Sequence, residues 1–215
     1  MKIKVCGMRN QSNIEDLVKL KPDYIGFIFY PKSKRFVGEL ITDEIQALIP
    51  VYIQKVGVFV DEPFDNLLEK FRSNKLDMIQ LHGSELPGYC ERLKKLDIPV
   101  IKVFSIDSDF DFATVKPFNP FCDYYLFDTA GDLRGGTGIK FDWNKLDEYR
   151  ENIPFFLSGG IQSPDIEDVK GLLHNELYAI DVNSGFEIEP GVKDIPKLKS
   201  FMEEFKNETT PKSQK

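Results

Sequence analysis

Metal chemistry has little to work with in this chain. Two histidines and three cysteines are scattered through 215 residues, with no CxxC and no neighbouring His pair. A structural zinc site takes four such ligands at short spacing, so no metal site is expected, and the odd set of thiols builds no disulfide framework. Long apolar runs are also missing. No window approaches the ~18 consecutive apolar residues of a spanning helix, so no membrane contact is expected. The opening MKIKVCGMRN shows no apolar stretch ahead of a small-residue cleavage site, which reads as a protein without a signal peptide, expected in the cytoplasm. Net charge is −7 with no long basic run, which argues against nucleic acid as a partner.

What is present is a regular alternation. With 41% hydrophobic and 29% charged residues, the composition suits a globular protein with a real core. Short β-rich runs fall at Ile3–Cys6, Tyr24–Phe29, Lys55–Val60, Met78–Leu81, Val100–Phe104, Tyr124–Phe127, Phe155–Leu157 and Ala179–Val182. Helical patterns lie between and after them: Ser12–Lys19, Thr42–Leu48, Pro63–Ser73, Leu86–Leu96, Phe110–Val115, Asp142–Tyr149, Pro164–Leu172 and Lys193–Phe205. Thr42 before an acidic pair, Ser84 before Glu85, and Ser163-Pro164-Asp165 read as helix starts. Several strands are apolar almost throughout, as in a parallel sheet covered on both faces. The pattern predicts an α/β fold: a single-domain (β/α)8 barrel of the TIM type over residues 1–206, with a polar tail over 207–215. An open doubly wound sheet is the alternative, but no GxGxxG follows the first strand.

In such a barrel the chemistry sits where strands end. The stretch YYLFDTAGDLRGGTGIKFDW (Tyr124–Trp143) delivers Asp128 at the end of an apolar strand, then a glycine loop. Cys6 ends the first strand, so both residues can face one cavity. A carboxyl among aromatic rings has its pKa raised and can hold a proton to donate. A thiol accepts a proton only as thiolate, and Lys4, two residues earlier on the same side of the strand, makes that form more accessible. A small buried hydrophobe is the other reading of Cys6. LSGGI (Leu157–Ile161) and NSGFE (Asn183–Glu187) follow strands seven and eight, the recurrent phosphate position of these barrels. Gly159, Gly160, Ser184 and Gly185 are therefore candidate phosphate contacts. Gly136, within the GGTG of Gly135–Gly138, adds a donor or hinges a lid. Arg35, in YPKSKRFV, has the planar fork for a substrate carboxylate or is simply a solvated base. Asp181 can orient a sugar hydroxyl or compete with Asp128 as the acid, and His82 can line the cavity.

Taken in order, KVCGMRN, YPKSKRFV, QLHGSE, LFDT…GGTG…FDW, LSGGI and DVNSGFEIEPGVKD resemble the phosphoribosylanthranilate isomerase family of tryptophan biosynthesis. The resemblance runs from Lys4 to about Asp194. It implies a small (β/α)8 barrel, monomeric or homodimeric, that needs no cofactor. The implied reaction is the Amadori rearrangement of N-(5-phosphoribosyl)anthranilate to 1-(2-carboxyphenylamino)-1-deoxyribulose 5-phosphate. It further implies Cys6 as general base and Asp128 as general acid. Where the family often has Ser-Pro-Arg this chain has Ser33-Lys34-Arg35, so its arginine sits in a less constrained loop. Related phosphoribosyl barrels that work with two aspartates carry Asp in place of Cys6, and a non-catalytic phosphosugar-binding barrel would not need the pair.

Overall fold

Eight parallel strands close into a barrel in sequence order, the last pairing with the first through Lys4 opposite Asp181. They are β1 (Lys2–Val5), β2 (Tyr24–Ile28), β3 (Gln54–Phe59), β4 (Met78–Leu81), β5 (Val100–Ile106), β6 (Tyr124–Thr129), β7 (Phe155–Leu157) and β8 (Leu177–Val182). The computed structural model describes residues 1–129, 141–172 and 174–207. All eight strands lie within two residues of the expected bounds. The (β/α)8 expectation holds.

Strand alternation divides the apolar residues into two sets. Ile3, Val5, Ile25, Phe27, Phe59, Leu81, Tyr125, Phe127, Leu157 and Val182 face outward and pack beneath the helices. Tyr24, Val56, Met78, Ile101, Leu126, Phe156 and Ala179 face inward and fill the barrel. Two residues further along the same inward faces come Gly26, Gln80, Asp128, Ser158 and Asp181. Period two thus carries β4, β6, β7 and β8 from an apolar floor to a polar mouth, while β3 and β5 stay apolar with Val58 and Val103.

The outer layer is more varied than the sequence suggests. Helices α1 (Gln11–Lys19), α2 (Asp43–Leu48), α3 (Phe64–Ser73), α4 (Pro87–Lys94), α5 (Ile166–Gly171) and α6 (Ile195–Asn207) are α-helical. Asn10 and Thr42 cap the first two by accepting from the backbone N–H groups of Asn13 and Ile45. The expected helix at Phe110–Val115 is a 3-10 helix over Phe112–Phe118. Pro117 has no N–H to donate, and its ring blocks a regular α turn there. Asp142–Tyr149 is likewise 3-10, over Trp143–Glu148, and a 3-10 turn at Ser163–Asp165 precedes α5. Ser84-Glu85 does not start α4. Glu85 turns inward and accepts from Asp61 N, Gly83 N and Lys102 Nζ. The last helix starts at Ile195, not Lys193, because a small antiparallel hairpin, β9 (Glu187–Glu189) with β10 (Val192–Lys193), comes first. Among the described residues no helix is long and apolar enough to cross a membrane.

Candidate active site

The mouth of the barrel holds charges that water barely reaches. Lys4 on β1 is fully buried, and its Nζ donates to Asp181 Oδ2 of β8 at 2.9 Å. Burial opposes the ammonium, but Asp181 and the Cys6 thiol more than offset it and raise its pKa. Asp181 is also raised, first by burial and against the pull of Lys4 and Lys193. Its second oxygen, Oδ1, is buried and meets no hydrogen-bond donor among the described residues. An acceptor left open in such a place suits a hydroxyl brought by a ligand.

Cys6 continues the line of β1, its N–H donating to Val182 O at 3.0 Å. The thiol needs room, and Gly26 on the neighbouring strand supplies it. A β-carbon at Gly26 would stand 2.7 Å from Cys6 Sγ. Burial pushes the thiol pKa up, Lys4 pulls it down, Asp181 pushes up again and Lys193 pulls down. The net direction is upward, so the cations expected to favour the thiolate are present but do not outweigh burial.

Asp128 ends β6 with its inward carboxyl buried. Desolvation, and then the charge of Asp181, push its pKa up to about 6, against hydrogen bonds from Thr129 N–H and the Ser158 side chain. The direction is the one expected for a proton donor, and its causes are burial and the neighbouring Asp181. His82 Nε2 lies 3.7 Å from Asp128 Oδ2, and its Nδ1 is 3.4 Å from Gln80 Nε2. His82 also lines a cavity of about 340 Å³ with Lys102, Phe104 and Ser105, at the ends of β4 and β5.

The loops after β7 and β8 lie against each other. A β-carbon at Gly185 would be 3.0 Å from Ile161 O, and Ser184–Phe186 forms a 3-10 turn. Gly159 has φ +94°, and a β-carbon there would clash with the Thr129 side chain. Only glycine fits where this loop passes the end of β6. Gly159, Gly160, Ser184 and Gly185 thus lie in these two adjoining loops, while Gly136 and the Gly135–Gly138 run lie outside the described residues.

Arg35 is placed in an unforeseen contact. Its Nε reaches Glu187 Oε1 and Oε2 at 2.9 and 3.0 Å, and its Nη2 reaches Oε2 at 2.7 Å. Glu187 also accepts from Lys193 Nζ at 2.7 Å and from Gly191 N at 3.1 Å. Burial works against the charge on Glu187, yet Arg35 and Lys193 together hold its carboxyl below the usual range.

The family model described as N-(5'phosphoribosyl)anthranilate (PRA) isomerase matches residues 3–204. The chain belongs to the phosphoribosylanthranilate isomerase family. It is 44% identical to the N-(5'-phosphoribosyl)anthranilate isomerase of Parabacteroides distasonis over 209 residues, covering 95% of this chain and 93% of that one. With the enzyme of Phocaeicola vulgatus the identity is 40%, covering 96% and 98%. The crystal structure of the Thermotoga maritima phosphoribosyl anthranilate isomerase superposes with a TM-score of 0.83 at 29% identity, covering 96% of this chain and 99% of that one. A solved family structure in complex with reduced 1-(o-carboxyphenylamino)-1-deoxyribulose 5-phosphate superposes at 0.80, with 29% identity and the same coverage.

Within this isomerase-family barrel, Cys6, Asp128, Asp181 and His82 all gather at one mouth, and Arg35 stands at its edge beside the loop after β8. Sequence reasoning missed Gly26, Glu187 and Lys193. Gly26 looked like one more apolar strand position, since a close approach to Cys6 exists only after β1 and β2 pair. The helical pattern Lys193–Phe205 takes in Lys193, although the residue belongs to a hairpin that turns its side chain inward. The signal available was EPGVK, since Pro190-Gly191 between two short runs is a turn pattern.

Proposed function

We propose that this barrel isomerises N-(5-phosphoribosyl)anthranilate to 1-(2-carboxyphenylamino)-1-deoxyribulose 5-phosphate by acid–base catalysis from Asp128 and Cys6. The observation that carries the proposal is the Asp128 carboxyl, buried at the mouth with its pKa pushed up to about 6. A carboxyl poised there holds a usable proton near neutral pH. It gives that proton to the ribose ring oxygen, the C1′–O bond breaks, and the anthranilate nitrogen supplies the electrons, leaving a protonated Schiff base. Cys6 as thiolate then takes the C2′ proton. The C2′–H electron pair moves toward the nitrogen and yields an enolamine, which tautomerises to the ketone.

The other groups hold the substrate. Oδ1 of Asp181 accepts a sugar hydroxyl. The loops of Gly159, Gly160, Ser184 and Gly185 present backbone N–H groups to the phosphate. Arg35 meets the anthranilate carboxylate with Nη1, which donates to no described residue, while Glu187 steadies its other edge. His82 closes the cavity beside Asp128. Each proton transfer is typically worth ~10²–10⁴ in rate.

The test mixes the protein with freshly made phosphoribosylanthranilate, pulls product forward with indoleglycerol phosphate synthase, and follows substrate fluorescence. Turnover that is nearly lost in folded Cys6→Ala and Asp128→Asn supports the proposal. Full activity in Asp128→Asn would move the acid elsewhere, to Asp181 first. Tight binding of a product analogue without turnover would leave only a phosphosugar-binding barrel.

A further inference from the structure

Lys193 is the most enclosed cation of the barrel mouth after Lys4, and the proposed reaction gives it no task. Its backbone is fixed to α1: Asn13 Nδ2 donates to Lys193 O at 2.9 Å, and Lys193 N donates to Asn13 Oδ1 at 2.7 Å. Its side chain is fully buried and donates to Glu187 Oε1 and Asn183 Oδ1, each at 2.7 Å, and to Asn183 O at 3.3 Å. Asn183 brings this cluster to the base. A β-carbon at Gly7, the residue after Cys6, would stand 2.8 Å from Asn183 Oδ1 and 2.8 Å from Arg35 Cδ. The ammonium thus sits at the seam where β8 runs into β1, beside the strand end that carries the thiol.

Charge counting shows why a neutral donor would not serve equally. Lys4 is matched by Asp181. Arg35 and Lys193 share the single carboxylate of Glu187. With no substrate bound, these three cations face two carboxylates, and the one positive charge left over lies near the Cys6 thiol, which becomes an anion by losing its proton. Burying an ammonium costs far more than burying an amide unless an opposite charge answers it.

We infer that Lys193 is a positioning residue for Cys6, a second ammonium of the barrel mouth that shares Glu187 with Arg35 and whose remaining charge is balanced when the thiol ionises. The inference rests on Cys6 being the base of the proposed reaction. The charged groups that act on the thiol are Lys4 on β1, Asp181 on β8 and Lys193 on β10; those that act on Lys193 are Glu187, Cys6 and Arg35. Burial, with Arg35, lowers the pKa of Lys193, while Glu187 and Cys6 raise it. The net direction for Lys193 is downward, Glu187 offsetting only part of the burial, and its charge in turn pulls the thiol pKa down.

The test follows alkylation of Cys6 by iodoacetamide against pH, read by mass spectrometry on the Cys6 peptide so that Cys90 and Cys122 do not contribute. Wild type is compared with Lys193→Met, Lys193→Gln and Lys193→Arg, each checked by circular dichroism. Lys193→Gln keeps amide donors for Asn183 and Glu187, so it answers even if Lys193→Met fails to fold. The alkylation midpoint is expected to rise by about 1 unit in the Met and Gln variants and to stay near wild type in the Arg variant. Because Asp128 titrates below the thiol, the alkaline limb of kcat/KM should move upward with it and the plateau beneath should fall, while KM stays nearly constant. An unmoved midpoint in folded Lys193→Gln, with Cys6→Ala inactive, overturns the inference and leaves the reaction standing. Full activity in Cys6→Ala overturns both at once.

Discussion

The two ends of the barrel bury their interiors in opposite ways. At the floor, Tyr24, Tyr124, Phe156 and Tyr178 pack as rings, with Tyr24–Phe156 centroids at 5.3 Å and Tyr124–Tyr178 at 4.8 Å. The hydroxyls of Tyr24 and Tyr178 meet at 2.9 Å, and Lys2 Nζ lies 4.9 Å over the Tyr178 ring. A register shift between β7 and β8 places Tyr178 in this plug. At the mouth, the same strands bury Lys4, Asp181, Asp128 and Cys6, two of them carboxyls pushed upward in pKa. The floor is stabilising wherever it touches itself. The mouth is held in a state that costs the fold energy, and only the substrate's chemistry gives a reason for it. Stability and reactivity are separated along the barrel axis by the few residues of each strand.

The contrast breaks most sharply at Asp128. Asp128→Asn is expected to cut turnover by ~10²–10⁴, measured as kcat/KM on phosphoribosylanthranilate. The same change should stabilise the fold at alkaline pH. A carboxyl whose pKa rises from 3.8 to about 6 on folding makes the wild type less stable as pH climbs between those values. Thermal or urea unfolding should therefore show Asp128→Asn ahead by ~1–3 kcal/mol at about pH 8, the advantage shrinking below the folded pKa and vanishing below the unfolded one.

Lys4→Met acts on the other side of the balance. It strands Asp181 without its buried partner, and a denaturant titration should show a loss of ~3–5 kcal/mol.

How much of this was legible beforehand differs between the two ends as well. The strands were readable because each is a short apolar run bounded by turn residues, and the barrel followed from their number and order. Cys6, Asp128 and Asp181 were readable because strand ends are fixed by the same pattern. The helical layer was less so, since Pro117 and the Pro190-Gly191 turn act through local geometry that apolar periodicity does not record. The contacts among Arg35, Glu187 and Lys193 join residues separated by as many as 152 positions. No local pattern specifies such a meeting.

A smaller effect sharpens the point. Gly26→Ala would place a methyl 2.7 Å from Cys6 Sγ and 3.0 Å from its Cα. Overpacking of this kind costs ~1–3 kcal/mol in stability. The displaced thiol should lose ~10² in kcat, since small misplacements of a reacting group cost about that much. Smallest of all is Tyr24→Phe at the floor. It removes one hydroxyl hydrogen bond, is expected to lower stability by ~0.5–1.5 kcal/mol, and should leave kcat and KM alone. A change in kcat there would show that the two ends are coupled after all.

The pairing of β8 with β1 has a consequence for the order in which the protein is made. The thiol leaves the ribosome with the first strand, whereas Asp181, Asn183 and Lys193 follow only after nearly the whole barrel has been synthesised. Until then β1 has β2 as its sole neighbour, Gly26 beside Cys6 on one flank and nothing on the other. Contacts spanning 177 residues, such as Lys4 with Asp181, carry a large loop-closure entropy and form late. A nascent chain stalled anywhere before β8 therefore displays an ordinary cysteine. Its special surroundings arrive with the final sixth of the described polypeptide, so an unfinished molecule is chemically quiet toward the finished enzyme's substrate.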